Sequence, residues 1–113
     1  GVRYIWNGRT KQQMPQYFQI YEDLISQKER FDIPRAAAQM MKPLLLIHGT
    51  ADETVPAQAV EDICKQYPQA KSLMIEGAGH TFEGKHPFDT QELPPNLQTA
   101  VDATIQFFQG TFA

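Results

Sequence analysis

Asp52 and His80 are the residues whose side chains and spacing could support acid–base chemistry. Each follows shortly after a short segment that is typical of a β-strand: Asp52 comes after Leu44–Ile47, and His80 comes after Ser72–Glu76. A carboxylate beside an imidazole fixes the tautomer of the ring and stabilises the imidazolium that forms when the ring takes a proton. Because an imidazole gains and loses protons near neutral pH, such a pair supplies a general base and the acid that orients it.

Two predicted parallel strands must hold this pair together. Leu44–Ile47 is an unbroken apolar run between Pro43 and Gly49, too short for a helix and typical of a strand buried on both faces. The spacing from Asp52 to His80 (80 − 52 = 28) fits one strand–helix–strand crossover, which joins parallel strands. Since open α/β folds place their chemistry at the carboxyl ends of such strands, we expect the two side chains to be neighbours.

The remaining pattern predicts an α/β chain without repeats or linkers. Val2–Trp6 is rich in β-forming residues and is expected to enter a hairpin, with its turn either at Asn7-Gly8 or at 9–11. Pro15 is expected to open an amphipathic helix whose aromatic residues pack in the core. In chain order, we expect a strand at 2–6, helices at 15–28 and 33–40, a strand at 44–47, a helix at 57–67, a strand at 72–76, an irregular loop at 81–93, and a helix from 94 that stops at 110.

Composition excludes several classes of function. The 113 residues carry a net charge of −3, so the chain lacks the basic surface of a nucleic-acid-binding protein. The lysines and arginines are scattered, which argues against an anionic membrane surface, and no apolar run approaches the ~20 residues of a membrane span. No signal-peptide pattern is visible, and the one cysteine, Cys64, suits a reducing compartment. A cytoplasmic location is therefore the default expectation.

Two motifs carry a resemblance to a known family. Pro-Leu-Leu-Leu-Ile-His-Gly-Thr-Ala-Asp-Glu-Thr-Val-Pro (43–56), followed by Ile-Glu-Gly-Ala-Gly-His-Thr-Phe (75–82), resembles the C-terminal part of an α/β-hydrolase. It is most similar to the branch of dienelactone-hydrolase-like and prolyl-oligopeptidase-like serine hydrolases. In that family the acid follows the seventh strand and the histidine follows the eighth, which implies catalytic roles for Asp52 and His80.

The resemblance also implies an activity and a division of the chain. The expected reaction is hydrolysis of a small-molecule ester, or of a peptide-like amide, through an acyl-enzyme, and it requires no metal or organic cofactor. Residues 42–113 would be the C-terminal hydrolase segment that carries the acid and the histidine. Residues 1–41 would be a hairpin-and-helix insertion before the seventh strand.

The nucleophile of such a hydrolase is absent from the sequence. The family's Gly-x-Ser-x-Gly elbow should precede the acid, and no such motif occurs. Ser26 is predicted on a helix, Ser72 at the start of a strand, and Cys64 in the middle of a helix. We therefore expect this chain to supply only Asp52 and His80 and to be inactive by itself. The alternative is a non-catalytic interaction module that associates as a homodimer, or with a missing N-terminal half, through the open edge of the first parallel strand.

Other interpretations of the polar residues stay open at this point. Asp52 could simply cap the following helix, and His80 could be an ordinary loop histidine. His48 is expected to be a buried or hydrogen-bonded neighbour of the site, and His86 a surface loop residue. These four residues could also bind zinc, but their spacing lacks a compact ligand motif such as His-x-x-x-His, so no metal site is expected.

Overall fold

Two small sheets, one antiparallel and one parallel, frame the chain in a computed structural model that describes all 113 residues. The eight regular elements are β1 (Val2–Asn7), β2 (Gln12–Tyr17), α1 (Gln19–Ser26), α2 (Ile33–Met40), β3 (Leu45–Gly49), α3 (Gln58–Gln66), β4 (Lys71–Ile75) and α4 (Pro95–Phe108). The second half of the chain alternates strand and helix, as the sequence predicts.

The N-terminal strands form an antiparallel hairpin in which Asn7 organises the turn. The side-chain oxygen of Asn7 accepts hydrogen bonds from the backbone N–H groups of Arg9 (3.0 Å) and Thr10 (3.1 Å). The N–H of Lys11 donates to the backbone carbonyl of Asn7 at 2.8 Å. The two turns considered from the sequence are therefore parts of one loop, residues 8–11.

The prediction that a helix begins at Pro15 is wrong for the first turn. Pro15 lies in β2 opposite Tyr4, and α1 begins only at Gln19 and ends at Ser26. A proline lacks a backbone N–H but is tolerated in a strand that has a free edge. Pro15 is a typical first residue of a helix, but residues 12–17 pair with β1 and therefore form the second strand of the hairpin.

The aromatic residues at the start of α1 are exposed, contrary to the prediction that they pack in the core. Tyr17, Phe18 and Tyr21 lie on the surface together with several other large apolar side chains of the hairpin and α1. They line an open hollow of about 490 Å³ with Val2 and Leu24. The amphipathic face exists, but nothing within the 113 residues covers it.

Helix α2 has the predicted cap and stop. Asp32 precedes the helix, and its Oδ1 accepts a hydrogen bond from the N–H of Arg35 at 3.1 Å. The helix ends at Met40, and the next residue, Met41, adopts a left-handed backbone conformation (φ 53°) two residues before Pro43. Helix α2 packs against α3, the crossover helix of the parallel unit.

Strands β3 and β4 pair in parallel, as the strand–helix–strand pattern predicts. Leu45 lies opposite Lys71, and Gly49 lies opposite Ile75, so the two carboxyl ends are aligned. Helix α4 packs on both strands. The expected α/β architecture therefore forms around this strand pair.

The core is small for a chain of this length. Only 6 of 113 residues are buried, and a cluster of Ile75, Ala78 and Ala100 forms the centre. Leu44–Ile47, predicted to be buried on both faces, is only half-buried, and β3 has one neighbouring strand. The radius of gyration is 17.3 Å, whereas a compact domain of this size has a value of about 13 Å. Large apolar surface is consequently left uncovered.

None of the helices combines the length and the apolar character that crossing a membrane requires.

Candidate active site

Asp52 is held by a turn that it caps itself. Its Oδ1 accepts hydrogen bonds from the backbone N–H groups of Thr54 and Val55, both at 2.8 Å. The backbone N–H of Asp52 donates to the carbonyl of Gly49 at 3.2 Å, which ties the turn to the end of β3. The carboxylate does not cap α3, because that helix begins at Gln58, and Ala57, the residue before it, is its N-cap without a side-chain hydrogen bond. One carboxylate oxygen is thus used by the turn, and the other is left for a second partner.

These hydrogen bonds keep the Asp52 carboxyl ionised. The N–H of Val55 is the largest cause that lowers the pKa of Asp52, from 3.8 to about 2. The hydrogen bond and charge of His80 and the N–H of Thr54 lower this pKa further, while burial opposes them. At neutral pH the group is therefore a carboxylate that can accept hydrogen bonds through both oxygens.

The second partner of Asp52 is His80. The Nδ1 atom of His80 lies 2.9 Å from Oδ2 of Asp52. The His80 side chain is 51% exposed, whereas that of Asp52 is 4% exposed. Because the carboxylate only accepts, Nδ1 of a neutral ring carries the proton, and Nε2 presents a lone pair that no protein group occupies. A buried acid and an exposed nitrogen base are the arrangement of an oriented general base.

The acid loop and the histidine loop are bonded directly to each other. The N–H of Thr50 donates to the carbonyl of Ile75, and that of Ala51 donates to the carbonyl of Ala78, both at 3.0 Å. In the other direction, the N–H of Gly77 donates to the hydroxyl oxygen of Thr50 at 2.8 Å. The two loops thus extend the pairing of β3 and β4 beyond the strand ends, and this is what brings Asp52 and His80 together.

Gly49 allows this close approach. A Cβ at position 49 would lie 2.6 Å from the carbonyl carbon of Ala78 and 2.9 Å from its Cβ, far inside van der Waals contact. Ala78 is completely buried, so it cannot move towards solvent. A glycine is consequently required at position 49, where β3 ends.

His48 is buried beside the acid, as its place on the strand predicts. Its Nε2 donates to the backbone carbonyl of Val55 at 3.0 Å and lies 3.7 Å from Oδ2 of Asp52. Because Val55 also donates its N–H to Asp52, the imidazole of His48 closes the turn that holds the acid. His48 thus packs against the Asp52 carboxylate while its own hydrogen bond goes to the backbone.

The other candidates from the sequence lie apart from this pair. His86 is exposed in the loop after His80 and makes no hydrogen bond to either residue. The hydroxyl of Ser26 donates to the carbonyl of Asp23 within α1, and Ser72 is paired with Leu46 at the start of β4. Cys64 lies within α3. No three His, Cys, Asp or Glu side chains form a group that could hold a metal ion.

Sequence reasoning missed one residue of this region, Glu83. Its Oε1 accepts a hydrogen bond from the N–H of Gly79 at 3.1 Å, and its Oε2 accepts one from the side-chain amide of Asn96 at 3.0 Å. The signal available was an acid four residues after a glycine in the histidine loop. No periodic pattern or cap motif draws attention to that spacing in an irregular loop.

Comparison with known families places the chain. The family model described as TAP-like protein, of the α/β-hydrolases, matches residues 23–91, well over half of the sequence and a range that includes both Asp52 and His80. The chain belongs to the α/β-hydrolase superfamily. The family and the α/β fold class expected from the two motifs are thereby confirmed.

Curated relatives of this α/β-hydrolase chain are esterases. A pimeloyl-[acyl-carrier protein] methyl ester esterase of Xanthomonas campestris pv. campestris (strain B100) is 37% identical over 59 residues, which cover 52% of this chain and 23% of the relative. The enzyme of the same name from Xanthomonas oryzae pv. oryzae (strain MAFF 311018) is 39% identical over 56 residues, covering 50% and 22% of the two chains. The match therefore spans less than a quarter of these relatives.

A solved structure gives a partial match. It is a thermophilic esterase from the Planctomycetes species Thermogutta terrifontis, Est2, with propionate bound. The TM-score is 0.37 at 28% sequence identity, and the match covers 63% of this chain and 27% of that structure.

Proposed function

We propose that Asp52 and His80 are the acid and the general base of a serine-type ester hydrolase. The observation that supports this most directly is the 2.9 Å contact between Nδ1 of His80 and Oδ2 of Asp52, with Nε2 of His80 left free. The low pKa of Asp52, about 2, keeps the acid charged while it orients the ring. The nucleophile and the oxyanion hole would come from residues outside these 113.

The proposed reaction uses His80 twice. Nε2 takes the proton of a serine hydroxyl while the serine oxygen bonds to the ester carbonyl carbon. The alcohol then leaves with the proton from Nε2, and an acyl-enzyme remains. In the second half, a water molecule gives its proton to Nε2 and attacks the acyl carbon, and the serine oxygen leaves and recovers that proton. Asp52 keeps the ring oriented and stabilises its charged form in both steps.

An ester is proposed as the substrate rather than an amide. Both curated relatives are named as methyl ester esterases, and their matches cover about half of the chain. The chemistry of the acid–histidine pair by itself is compatible with either acyl group. The acyl part and the alcohol of the substrate would be selected by residues outside the pair.

The isolated chain is expected to be inactive. Its two serines occupy α1 and β4, where neither follows a strand at the edge that carries His80. Loss of the nucleophile of a triad costs on the order of a millionfold in turnover. Turnover of a p-nitrophenyl ester by the 113 residues, abolished by His80→Ala, would show that another group acts as nucleophile and would overturn this expectation.

A chimaera tests the proposed roles. Residues 42–113 of this chain, which contain Asp52 and His80, replace the corresponding segment of the Xanthomonas campestris esterase, and hydrolysis of a methyl ester is measured. We expect an active chimaera that loses activity by several orders of magnitude with His80→Ala or Asp52→Asn.

Two matched controls are available for the chimaera. Glu53→Gln changes the exposed acid next to Asp52, and His86→Ala removes an exposed histidine of the same loop as His80. Both are expected to retain activity. An active chimaera that tolerates His80→Ala would contradict the proposal.

A second candidate function is association through uncovered surface. Strand β3 has a partner on one side only, and large apolar side chains of the hairpin and α1 are exposed. A two-stranded sheet is marginal in water, and an open strand edge recruits another strand. We propose that the chain pairs through the free edge of β3, with a second copy or with a segment that carries the nucleophile. Light scattering at micromolar concentration should find a dimer, and a monomer would count against pairing between copies.

The division of the chain at residue 42 remains part of this proposal. The hairpin and α1 line one hollow, whereas α2 packs against α3 of the second half. We propose that residues 1–41 are an insertion of the hydrolase fold. Deleting residues 1–31, which keeps the Asp32 cap and α2, should preserve the Asp52–His80 contact as monitored by the Nδ1 proton of His80.

A further inference from the structure

We propose that Glu83 is a positioning residue that holds the His80 loop against helix α4, so that the imidazole faces Asp52. The inference rests on the proposed role of His80 as the general base. It assigns a function to a carboxylate that neither the sequence motifs nor the acid–histidine pair uses. Glu83 acts through the backbone next to His80 and makes no contact with a reacting atom.

Both carboxylate oxygens of Glu83 are engaged. Oε1 accepts the N–H of Gly79 at 3.1 Å, and Oε2 accepts the side-chain N–H of Asn96 at 3.0 Å. Gly79 directly precedes His80, so the first bond acts on the backbone that carries the imidazole. Asn96 belongs to the first turn of α4, which packs on both parallel strands. The carboxylate therefore links the histidine loop to an element anchored in the core.

The backbone around Glu83 is strained in a way that calls for such a link. Phe82 (φ 53°) and Glu83 (φ 63°) both adopt the left-handed conformation, which non-glycine residues avoid. Strained residues persist only where their surroundings fix them. Phe82 is fixed by packing against the core cluster, and Glu83 by its two hydrogen bonds.

The position of the His80 ring depends strongly on its backbone. Its ring is half exposed, and the contact with Asp52 is its only hydrogen bond. On the N-terminal side, the loop is held through the carbonyl of Ala78, which accepts the N–H of Ala51. On the C-terminal side, Glu83 folds back and holds Gly79. The carbonyl of Ala78 and the N–H of Gly79 belong to one peptide group, which is therefore held at both its acceptor and its donor one residue before His80.

Nuclear magnetic resonance on the full 113-residue chain tests the inference through three substitutions. Glu83→Gly removes the carboxylate but accepts the left-handed backbone, so it separates the hydrogen bonds from the strain. Asn96→Ala removes only the link to α4. Glu83→Gln is the conservative variant, since its amide oxygen can still accept the N–H of Gly79. The readouts are the exchange rate of the Gly79 amide and the Nδ1 proton signal of His80.

For Glu83→Gly we expect the Gly79 amide to exchange about tenfold faster or more, as loss of a hydrogen bond to a charged group implies. The Nδ1 proton of His80 should broaden or disappear, while the ring signals of His48 stay unchanged. Asn96→Ala should shift both readouts less in the same direction, and Glu83→Gln should restore them in large part. Glu92→Gly, at an exposed acid later in the same loop, is the matched control and should change neither.

The outcomes separate this inference from the proposed function. A wild-type chain with a hydrogen-bonded Nδ1 proton that Glu83→Gly leaves intact would overturn the positioning role and leave the acid–histidine pair in place. A wild-type chain without that proton signal would overturn the pair itself, and the inference with it. If Glu83→Gly unfolds the chain, Asn96→Ala decides, because unaltered exchange at Gly79 in that variant would also overturn the inference.

Discussion

Nδ1 of His80 lies 2.9 Å from Oδ2 of Asp52, yet the two side chains are held in different ways. The acid is 4% exposed, and its Oδ1 is fixed by two backbone N–H groups of its own turn. The histidine is 51% exposed and has the acid as its only side-chain partner. The acid is therefore in place independently of the histidine, whereas the orientation of the histidine depends on the acid and on the histidine loop.

This asymmetry predicts the titration of Asp52 in a His80→Ala variant. Removing the imidazole takes away one cause of the low pKa, so the pKa of Asp52 should rise from about 2. It should stay below 3.8, because the N–H groups of Val55 and Thr54 remain, and Val55 is the largest cause. The ¹³C chemical shift of the carboxyl carbon, followed against pH, measures the change.

His86→Ala is the control for this titration, because His86 makes no hydrogen bond to Asp52. The Asp52 pKa should be the same in that variant and in the wild type. A return of the pKa fully to 3.8 in His80→Ala would mean that the turn does not hold the carboxylate as described.

Asp52 should also make the stability of the chain depend on acid. A carboxyl whose pKa is lowered in the folded state stabilises that state fully above its unfolded pKa, here 3.8. This stabilisation is lost as the pH falls through the folded value of about 2. Urea unfolding of the wild type and Asp52→Asn should therefore give free energies that converge across this window.

Glu53→Gln is the matched control for the urea unfolding experiments at different pH. Glu53 is the exposed neighbour of Asp52, and its side chain accepts no hydrogen bond. Its difference from the wild type should stay nearly constant over the same pH range. Wild-type and Asp52→Asn curves that run parallel down to pH 2 would contradict the linkage.

Gly49→Ala should separate the two loops. The added Cβ would overlap the backbone of Ala78, which is buried and cannot yield. Overpacking of this kind costs about 1–3 kcal/mol, and more where backbone must move. We expect a lower urea midpoint together with loss of the Nδ1 proton signal of His80. Gly8→Ala, at a position with nothing within 4 Å of the added carbon, should leave both almost unchanged.

His48→Phe tests whether His48 holds the turn that carries Asp52. It removes the donor to the half-buried carbonyl of Val55, and leaving a fully buried acceptor unsatisfied costs roughly 1–3 kcal/mol, which is an upper bound here. The pKa of Asp52 should rise, because the N–H of Val55 is the largest cause of its low value. His48→Gln retains an N–H donor and should lose less. A destabilised variant in which Asp52 titrates as before would show that His48 supports packing alone.

The sequence predicts the parallel unit well because local and long-range signals agree there. The apolar run before Gly49, the helical spacing of α3 and the acid-to-histidine interval all favour one arrangement, and the structure has it. Pro15 shows the opposite case. Its local signal for a helix start is genuine, but pairing with β1 decides the conformation, and that partner lies a turn away in the chain.

Two features of the structure, one at the site and one at the hairpin, could not be predicted from the sequence. The bond from Glu83 to Gly79 depends on a left-handed backbone at two non-glycine residues, for which sequence gives no signal. The exposure of Tyr17 depends on what covers the amphipathic face, and periodicity shows only that such a face exists. Which surface covers an apolar face depends on the assembled molecule and is not encoded in the sequence of that face.

The contact between Gly49 and Ala78 has a consequence for how a hydrolase of this kind could be assembled. Because the two loops are bonded to each other at the ends of β3 and β4, the contact between Asp52 and His80 forms within these 113 residues, without any contribution from a nucleophile. Under the proposed function, another segment would then have to supply a serine placed against Nε2 of His80 and an oxyanion hole, but no group to orient the ring. The unit of β3, β4 and their two loops could then be moved between related proteins, provided that the free edge of β3 pairs with a strand of the recipient protein.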